Sequence, residues 1–159
     1  MVRPSQDGPP LVSRDRLLVL DTCLGAGLAV QLRDRGHRAV ACSSIGLGDA
    51  DDPALLRGLD ERYEAGQEWV LVTIDDALPA EQAELIGHTR ATIATILPSW
   101  PAGMSEFGWY ADVVHRQAHR MQQQTPHTVR RYGLAHSQPW RPRTAHAVIR
   151  RGWQPWPES

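Results

Sequence analysis

The sequence predicts an α/β domain built on a mainly parallel sheet of about four strands. Two short apolar segments, at residues 16–21 and 69–75, each end in an acid. Uninterrupted apolar runs of this length are typical of strands that are covered on both faces of a parallel sheet. Segments with helical spacing alternate with these strands along the chain, and that alternation favours a layered α/β arrangement.

The predicted elements follow one another regularly as far as residue 124. The strands are expected at residues 16–21, 38–42, 69–73 and 92–97, and the helices at 24–35, 52–65, 79–86 and 105–124. Leu24, Leu28 and Leu32 have the spacing of one helix face. Asp52 followed by Pro53 is predicted to start the second helix, because Asp is a favoured N-cap and proline suits the first helical turn.

The two ends of the chain have a different composition. Residues 1–14 are rich in Pro and Gly and are predicted to be a flexible leader, residues 15–124 form the domain, and residues 125–159 form a C-terminal extension rich in Pro, Arg, His and Trp. A helix at 126–133 is the one element predicted in this extension. The absence of an apolar signal core and of an apolar run of ~20 residues predicts a cytoplasmic protein without a membrane partner. The two cysteines lack metal-site spacing and are expected to stay reduced.

The net charge of −1 conceals an uneven distribution. Residues 1–110 carry sixteen acids and nine arginines, residues 111–153 carry one acid and eight arginines, and the chain has no lysine. A basic tail on an acidic body indicates binding to nucleic acid or to an acidic partner, although the opposite charges can also hold the tail against its own body. The arginines expected to contact RNA are Arg116, Arg120, Arg130, Arg131, Arg141 and Arg143.

Five of the six tryptophans lie from residue 100 onward, at Trp100, Trp109, Trp140, Trp153 and Trp156. Aromatic side chains between arginines can stack on unpaired bases while the arginines hold phosphates. They can equally pin a poorly structured tail to the core or to a second subunit. The second role is expected for the two that lie nearest the core, Trp100 and Trp109, and both roles stay open for the tail.

Three acids have a claim on one site: Asp21, Asp52 and Asp75. They fall at the end of strand one, at a helix start after strand two and at the end of strand three, and the carboxyl ends of parallel strands share one edge. Carboxylates packed together raise each other's pKa unless a cation neutralises them. Oxygen ligands of this kind suit Mg²⁺ or Mn²⁺. Taken alone, Asp52 is explained by helix capping, and Asp75 with Asp76 by a turn.

The motifs also occur in a recognisable order over residues 16–97. Residues 18–24 resemble the opening strand of PIN domains, and the longer pattern resembles the PIN-like toxin group. The motifs that carry this resemblance are Arg35-Gly36-His37, Gly46-Leu47-Gly48, Asp52 and the segment from Val70 to Asp75. Two positions depart from the pattern, because Cys23 replaces an expected Asn and Ala77 replaces a second Asp.

The resemblance implies a three-layer α/β/α PIN-like fold and a metal-dependent endoribonuclease, often the toxin of a toxin–antitoxin pair. Such a protein has an RNA substrate and a cognate antitoxin protein as partners, and homodimers are common in the group. By motif position Asp21, Asp52 and Asp75 are the catalytic, metal-binding acids. Asp76 is the nearest candidate for a fourth acid, and Asp51 the next.

Hydrolysis of a phosphodiester needs a nucleophile made from water and a positive charge beside the transition state, and a carboxylate-held Mg²⁺ supplies both. Thr22 and Thr73 are candidates to orient a ligand carboxylate by a hydrogen bond, although both can be ordinary strand-end threonines. An alternative function is a non-catalytic PIN-like module that binds RNA or a partner protein. A phosphorylation receiver domain would need a lysine, and the chain has none.

Overall fold

A computed structural model describes residues 15–142 of the chain. Its strands are β1 (Leu17–Leu20), β2 (Ala39–Ala41), β3 (Trp69–Thr73), β4 (Ile93–Ile96), β5 (Val129–Tyr132) and β6 (Ser137–Pro139). Its α-helices are α1 (Ala26–Asp34), α2 (Asp52–Glu64), α3 (Leu78–Glu81), α4 (Ala83–Gly87) and α5 (Glu106–Gln122). Short 3₁₀ turns follow β1 and β2, at Thr22–Leu24 and Cys42–Ile45. Within residues 15–142, none of the helices combines the length and apolar character needed to cross a membrane.

The six strands form one sheet in the order β2-β1-β3-β4-β5-β6. Strands β1 to β5 all run parallel to one another, and β6 runs antiparallel to β5. The chain moves from β1 outward to β2 and then returns past β1 to β3, so the strand order reverses between β1 and β3. Ligands of open α/β sheets bind outside the carboxyl ends of the strands at such a reversal. This is the place where Asp21 and Asp75 leave the sheet.

The core has two halves, one on each face of the sheet. Leu18 and Leu20 of β1 face a cluster that contains α1 and α5. Leu17 and Val19 face the other cluster, which contains α2, α3 and α4. Successive strand residues point to opposite faces, and because all four are buried, β1 is uniformly apolar. The predicted α/β class with a mainly parallel sheet is therefore confirmed.

The number of strands and the structure after residue 124 differ from the prediction. The sheet has six strands instead of about four, and the helix predicted at 126–133 is wrong because that segment contains β5. Val129 and Tyr132 are buried on opposite faces of the sheet, and Arg131 between them is also buried. Residues 129–139 thus continue the sheet. The predicted leader at 1–14, and residues 143–159 of the predicted extension, lie outside the described residues.

The late helix is confirmed as α5, with Ser105 at its start. The Ser105 hydroxyl oxygen accepts a hydrogen bond from the Gly108 amide at 3.0 Å, as an N-cap serine does. Trp109 is buried and donates from Nε1 to the Leu97 carbonyl at 2.6 Å. The other end of α5 lies at the start of β1, where the Arg16 amide donates to the Gln122 carbonyl at 3.4 Å. The helix therefore begins at the carboxyl edge of the sheet and ends at the opposite edge.

Candidate metal centre

Asp21 is the first residue after β1 and is held in place through both carboxylate oxygens. Oδ1 accepts from the Thr22 amide at 2.8 Å, which caps the 3₁₀ turn. Oδ2 accepts from the Thr73 hydroxyl at 2.7 Å. A carboxylate has about four acceptor sites, so these two contacts orient the group and leave acceptor capacity on the rim.

Thr73 connects the ends of β1 and β3. It is fully buried as the last residue of β3. Its hydroxyl donates to Asp21 and accepts from the Asp75 amide at 3.1 Å. The hydroxyl thus fixes the Asp21 side chain against the backbone of Asp75, which is the orienting geometry predicted for this threonine. The Thr22 hydroxyl has a different contact, because it donates to the Gly48 carbonyl at 3.3 Å in the loop before α2.

Asp51, and not Asp52, caps α2. Asp51 Oδ1 accepts from the Ala54 amide at 2.9 Å, so the capping role predicted for Asp52 is wrong by one residue. Asp52 is the first residue of the helix itself. The capping explanation for Asp52 no longer applies, and its carboxylate is available to the rim.

One carboxylate oxygen from each of Asp52, Asp75 and Glu81 lies within 4.8 Å of the other two. Asp52 and Asp75 are partly buried and Glu81 is exposed. Asp21 is outside this set of three but adjoins it through Thr73. The sequence interpretation missed Glu81, which ends the four-residue helix α3. The available signal was Pro79, three residues after Asp76, because a proline favours the first turn of a helix and so predicts a short helix close to these acids.

The pKa of Asp52 is raised above its ordinary value of 3.8. Burial is the largest cause, followed by the negative charges of Asp75, Asp21, Glu81 and Asp51. A bound cation would offset the mutual repulsion of these carboxylates. The donors are carboxylate oxygens alone, which suits a hard divalent ion such as Mg²⁺ or Mn²⁺.

Asp52→Asn is expected to stabilise the metal-free protein while removing its response to metal. A raised pKa means that the ionised carboxylate costs stability at pH 7, a cost that is absent below pH 3.8. Relief of this repulsion is worth up to ~1 kcal/mol at a partly exposed site, or up to about 2–4 °C in Tm. Mg²⁺ bound at a hundred times its Kd would stabilise the wild type by ~2.7 kcal/mol, and the variant is expected to lose most of this.

The matched control for this experiment is Asp51→Asn. It removes the same charge one residue away, and Asn is as good an N-cap as Asp. Melting curves of both variants, in EDTA and over a Mg²⁺ titration, check the expectation. Equal responses of the two variants to Mg²⁺ would contradict a specific role for Asp52.

Asp76 has a partner inside the protein. Its carboxylate accepts from Arg131 through Nε at 2.9 Å and Nη2 at 2.7 Å, and from Trp140 Nε1 at 3.1 Å. The Asp76 side chain is 14% exposed and the Arg131 side chain 6%. The Arg131 guanidinium also lies 5.6 Å from the centre of the Trp140 ring. This unit, which we call the Asp76 lock, engages the carboxylate that was the nearest candidate for a fourth acid. Within the described residues, Glu81 completes the cluster instead.

The arginines predicted to contact RNA occupy very different positions. Arg131 is buried in the Asp76 lock, and Arg130 donates to the Ser137 hydroxyl at 3.2 Å. Arg116 and Arg120 are exposed on α5, but at 1.5 Å per residue they lie about 15 and 21 Å beyond Glu106, toward the edge of the sheet opposite the acids. Arg141 is exposed, and Arg143 lies outside the described residues.

The tail tryptophan that the structure describes has a packing role. Trp140 is 2% exposed within the cluster that contains α2, α3 and α4. This agrees with the pinning alternative and not with base stacking at this position.

Comparisons with protein-family models, with curated proteins and with solved structures found no match to this chain.

Proposed function

We propose that this protein is a metal-dependent endoribonuclease that hydrolyses RNA phosphodiester bonds with Mg²⁺ or Mn²⁺, and that it acts as the toxin of a toxin–antitoxin pair. The observation that carries the proposal is the meeting of Asp52, Asp75 and Glu81 oxygens within 4.8 Å, beside Asp21 and at the reversal of strand order. The PIN-like resemblance of residues 16–97 supports RNA as the substrate and a cognate antitoxin protein as the partner.

Each acid has a distinct part in this proposal. Asp52, Asp75 and Glu81 would hold the ion, and Asp21 completes the negative rim while Thr73 fixes its orientation. A bound Mg²⁺ supplies an activated water and a positive charge for the phosphate oxygens. Asp75 is itself held by its own turn, because its Oδ1 accepts from the Ala77 amide at 3.1 Å. Preorganisation of this kind keeps the acids in place before substrate arrives.

Purified protein is expected to cut single-stranded RNA only when a divalent ion is present. The assay follows a labelled RNA on a denaturing gel in Mg²⁺, in Mn²⁺, in EDTA, and in EDTA with excess Mg²⁺ restored. Loss in EDTA and recovery with Mg²⁺ is the expected result, because the charge-crowded acids need the ion. Cleavage that continues in EDTA would overturn the proposal.

A second candidate is a non-catalytic PIN-like module that binds RNA or a partner protein. Two observations favour it: Asp76 is engaged by Arg131, and Glu81 is exposed. This candidate is distinguished by RNA binding without cleavage and by a Tm that does not respond to Mg²⁺.

A further inference from the structure

A cavity of about 250 Å³ lies beside the acids, on the α5 side of the sheet edge. It is lined by Cys23, Ile74, Glu106, Phe107 and Tyr110. Cys23 lies two residues after Asp21, and Ile74 directly precedes Asp75. The cavity is thus built from the same two strand ends as the candidate metal centre, together with the first turn of α5. Pockets for drug-sized ligands start at about 300 Å³, so this one suits a smaller group.

The cavity has two aromatic walls, of which Phe107 is open to solvent. Phe107 is 53% exposed, although large apolar side chains are normally buried. Tyr110, only 5% exposed, forms the inner wall, and Trp100, 37% exposed, packs edge-on against it with ring centroids 5.9 Å apart. An exposed aromatic ring such as Phe107 is a surface on which an unpaired RNA base can stack.

Glu106 gives the cavity its polar group. Its Oε2 accepts from the Tyr110 hydroxyl at 3.0 Å. Burial, followed by this hydrogen bond, raises the pKa of Tyr110 to about 12, so the phenol stays protonated and keeps donating. The contact uses one of about four acceptor sites of the carboxylate. Glu106 is in the first turn of α5, where the helix dipole stabilises a negative charge. The cavity therefore presents a hydrogen-bond acceptor, the Glu106 carboxylate, which suits a ligand that carries N–H donors.

We propose that this cavity binds one unpaired guanine base of the RNA, stacked on Phe107 and hydrogen-bonded to Glu106, with the buried Tyr110 behind it. Guanine is the base whose Watson–Crick edge carries two neighbouring donors, N1–H and N2–H, which match the two oxygens of a carboxylate. Adenine and cytosine each offer a single amino group there, next to a ring nitrogen acceptor. Uracil offers one N–H between two carbonyls, which the carboxylate repels.

The inference rests on the proposed function, since it takes RNA as the substrate of the neighbouring acids. It adds a sequence preference: cleavage next to guanine. The preference is expected from position, because the lining residues Cys23 and Ile74 are sequence neighbours of Asp21 and Asp75, so a base bound in the cavity would bring its own phosphates toward these acids.

The test uses labelled hexauridylate strands with a single internal guanine, adenine or cytosine, and the all-uridine strand. Binding to the full chain is measured by fluorescence anisotropy with Ca²⁺ as the neutralising ion, and gels check that the strands stay intact. The same strands are then mapped for cleavage in Mg²⁺. The wild type is expected to bind the guanine strand about tenfold more tightly than the others, in the range of a good bidentate base contact.

Three variants separate stacking from base recognition. Phe107→Ala is expected to weaken binding of all strands about tenfold, the scale of one stacked base. Glu106→Gln is nearly isosteric and is expected to remove the guanine preference while leaving stacking intact. Val30→Ala is the matched control, because Val30 is also an exposed apolar residue, 45% exposed on α1, and does not line the cavity. Circular dichroism and Tm confirm that each variant is folded.

Each outcome decides one of the two proposals. Guanine preference that Glu106→Gln abolishes supports the cavity, and if no strand is cut in Mg²⁺ the nuclease proposal fails while the cavity stands. Cleavage without guanine preference overturns the cavity and leaves the nuclease in place. Equal binding of all strands, binding of none, or a guanine preference that survives in Glu106→Gln also overturns the cavity.

Discussion

Asp75→Asn is expected to lower the rate of RNA cleavage about a thousandfold, which corresponds to ~4 kcal/mol of transition-state stabilisation. Asp75 contributes an oxygen to the acid cluster, and its amide contacts the hydroxyl that orients Asp21. An amide side chain keeps the size and the turn but removes the charge that would hold the proposed ion. In the proposed mechanism the ion would supply several kcal/mol through its nucleophile and its charge, so its loss is expected to remove most of the catalysis.

The matched control for Asp75→Asn is Asp51→Asn, which has the same change of charge on a neighbouring loop. Its capping bond to the Ala54 amide is expected to survive, and cleavage is expected to stay within about threefold of wild type, the range of a small electrostatic change of under 1 kcal/mol. Single-turnover cleavage rates at saturating Mg²⁺ are the measurement. A wild-type rate for Asp75→Asn would remove Asp75 from the site, and equal losses in the two variants would point to general charge effects.

Arg131→Met is expected to destabilise the fold by about 3 kcal/mol, near the lower end of the cost of breaking a buried ion pair. The substitution leaves the Asp76 carboxylate almost buried, with Trp140 Nε1 as its remaining partner in the Asp76 lock. It also removes the cation from the face of the Trp140 ring. For a chain of this length the loss corresponds to a fall of about 6–12 °C in Tm.

A double-mutant cycle separates the contribution of the Arg131–Asp76 ion pair to stability from that of side-chain packing. Arg131→Met with Asp76→Asn removes both charges, and it is expected to recover more than half of the lost stability because no uncompensated charge remains. Urea unfolding of the wild type, both single variants and the double variant gives the coupling free energy. A loss of stability in the double variant equal to the sum of the two single losses would show that the ion pair itself contributes nothing to the free energy of unfolding.

Much of the fold could be predicted because its signals are local. Residues 16–21 and 69–75 are apolar up to an acid, and this pattern needs nothing beyond the covered faces of a parallel sheet. β5 carries no such signal. It contains Arg130 and Arg131, and Arg131 is tolerated inside because Asp76, 55 positions away, neutralises it. No periodicity within the segment contains that information, so a strand was mistaken for a helix.

Some residues of the candidate site could likewise be predicted from local sequence signals, and others could not. Asp21 directly follows β1 and Asp75 lies two residues after the end of β3, and the Thr73 hydroxyl contacts Asp21 Oδ2 and the Asp75 amide. The choice between Asp51 and Asp52 depends on which carboxylate turns back to the Ala54 amide, and either residue satisfies the sequence pattern. Glu81 was overlooked because it follows no strand. It reaches the cluster through the path of a four-residue helix, and that path is set by the packing of buried Leu78 and Pro79.

The two cysteines differ in a way that has a practical use. Cys42 is buried, and desolvation together with the charge of Asp21 raises the pKa of its thiol to about 12, so it holds its proton and does not react at neutral pH. Cys23 is exposed on the wall of the cavity. A maleimide dye added to the unaltered protein will therefore attach at one position, next to the acids, and can serve as an optical reporter of whatever enters there.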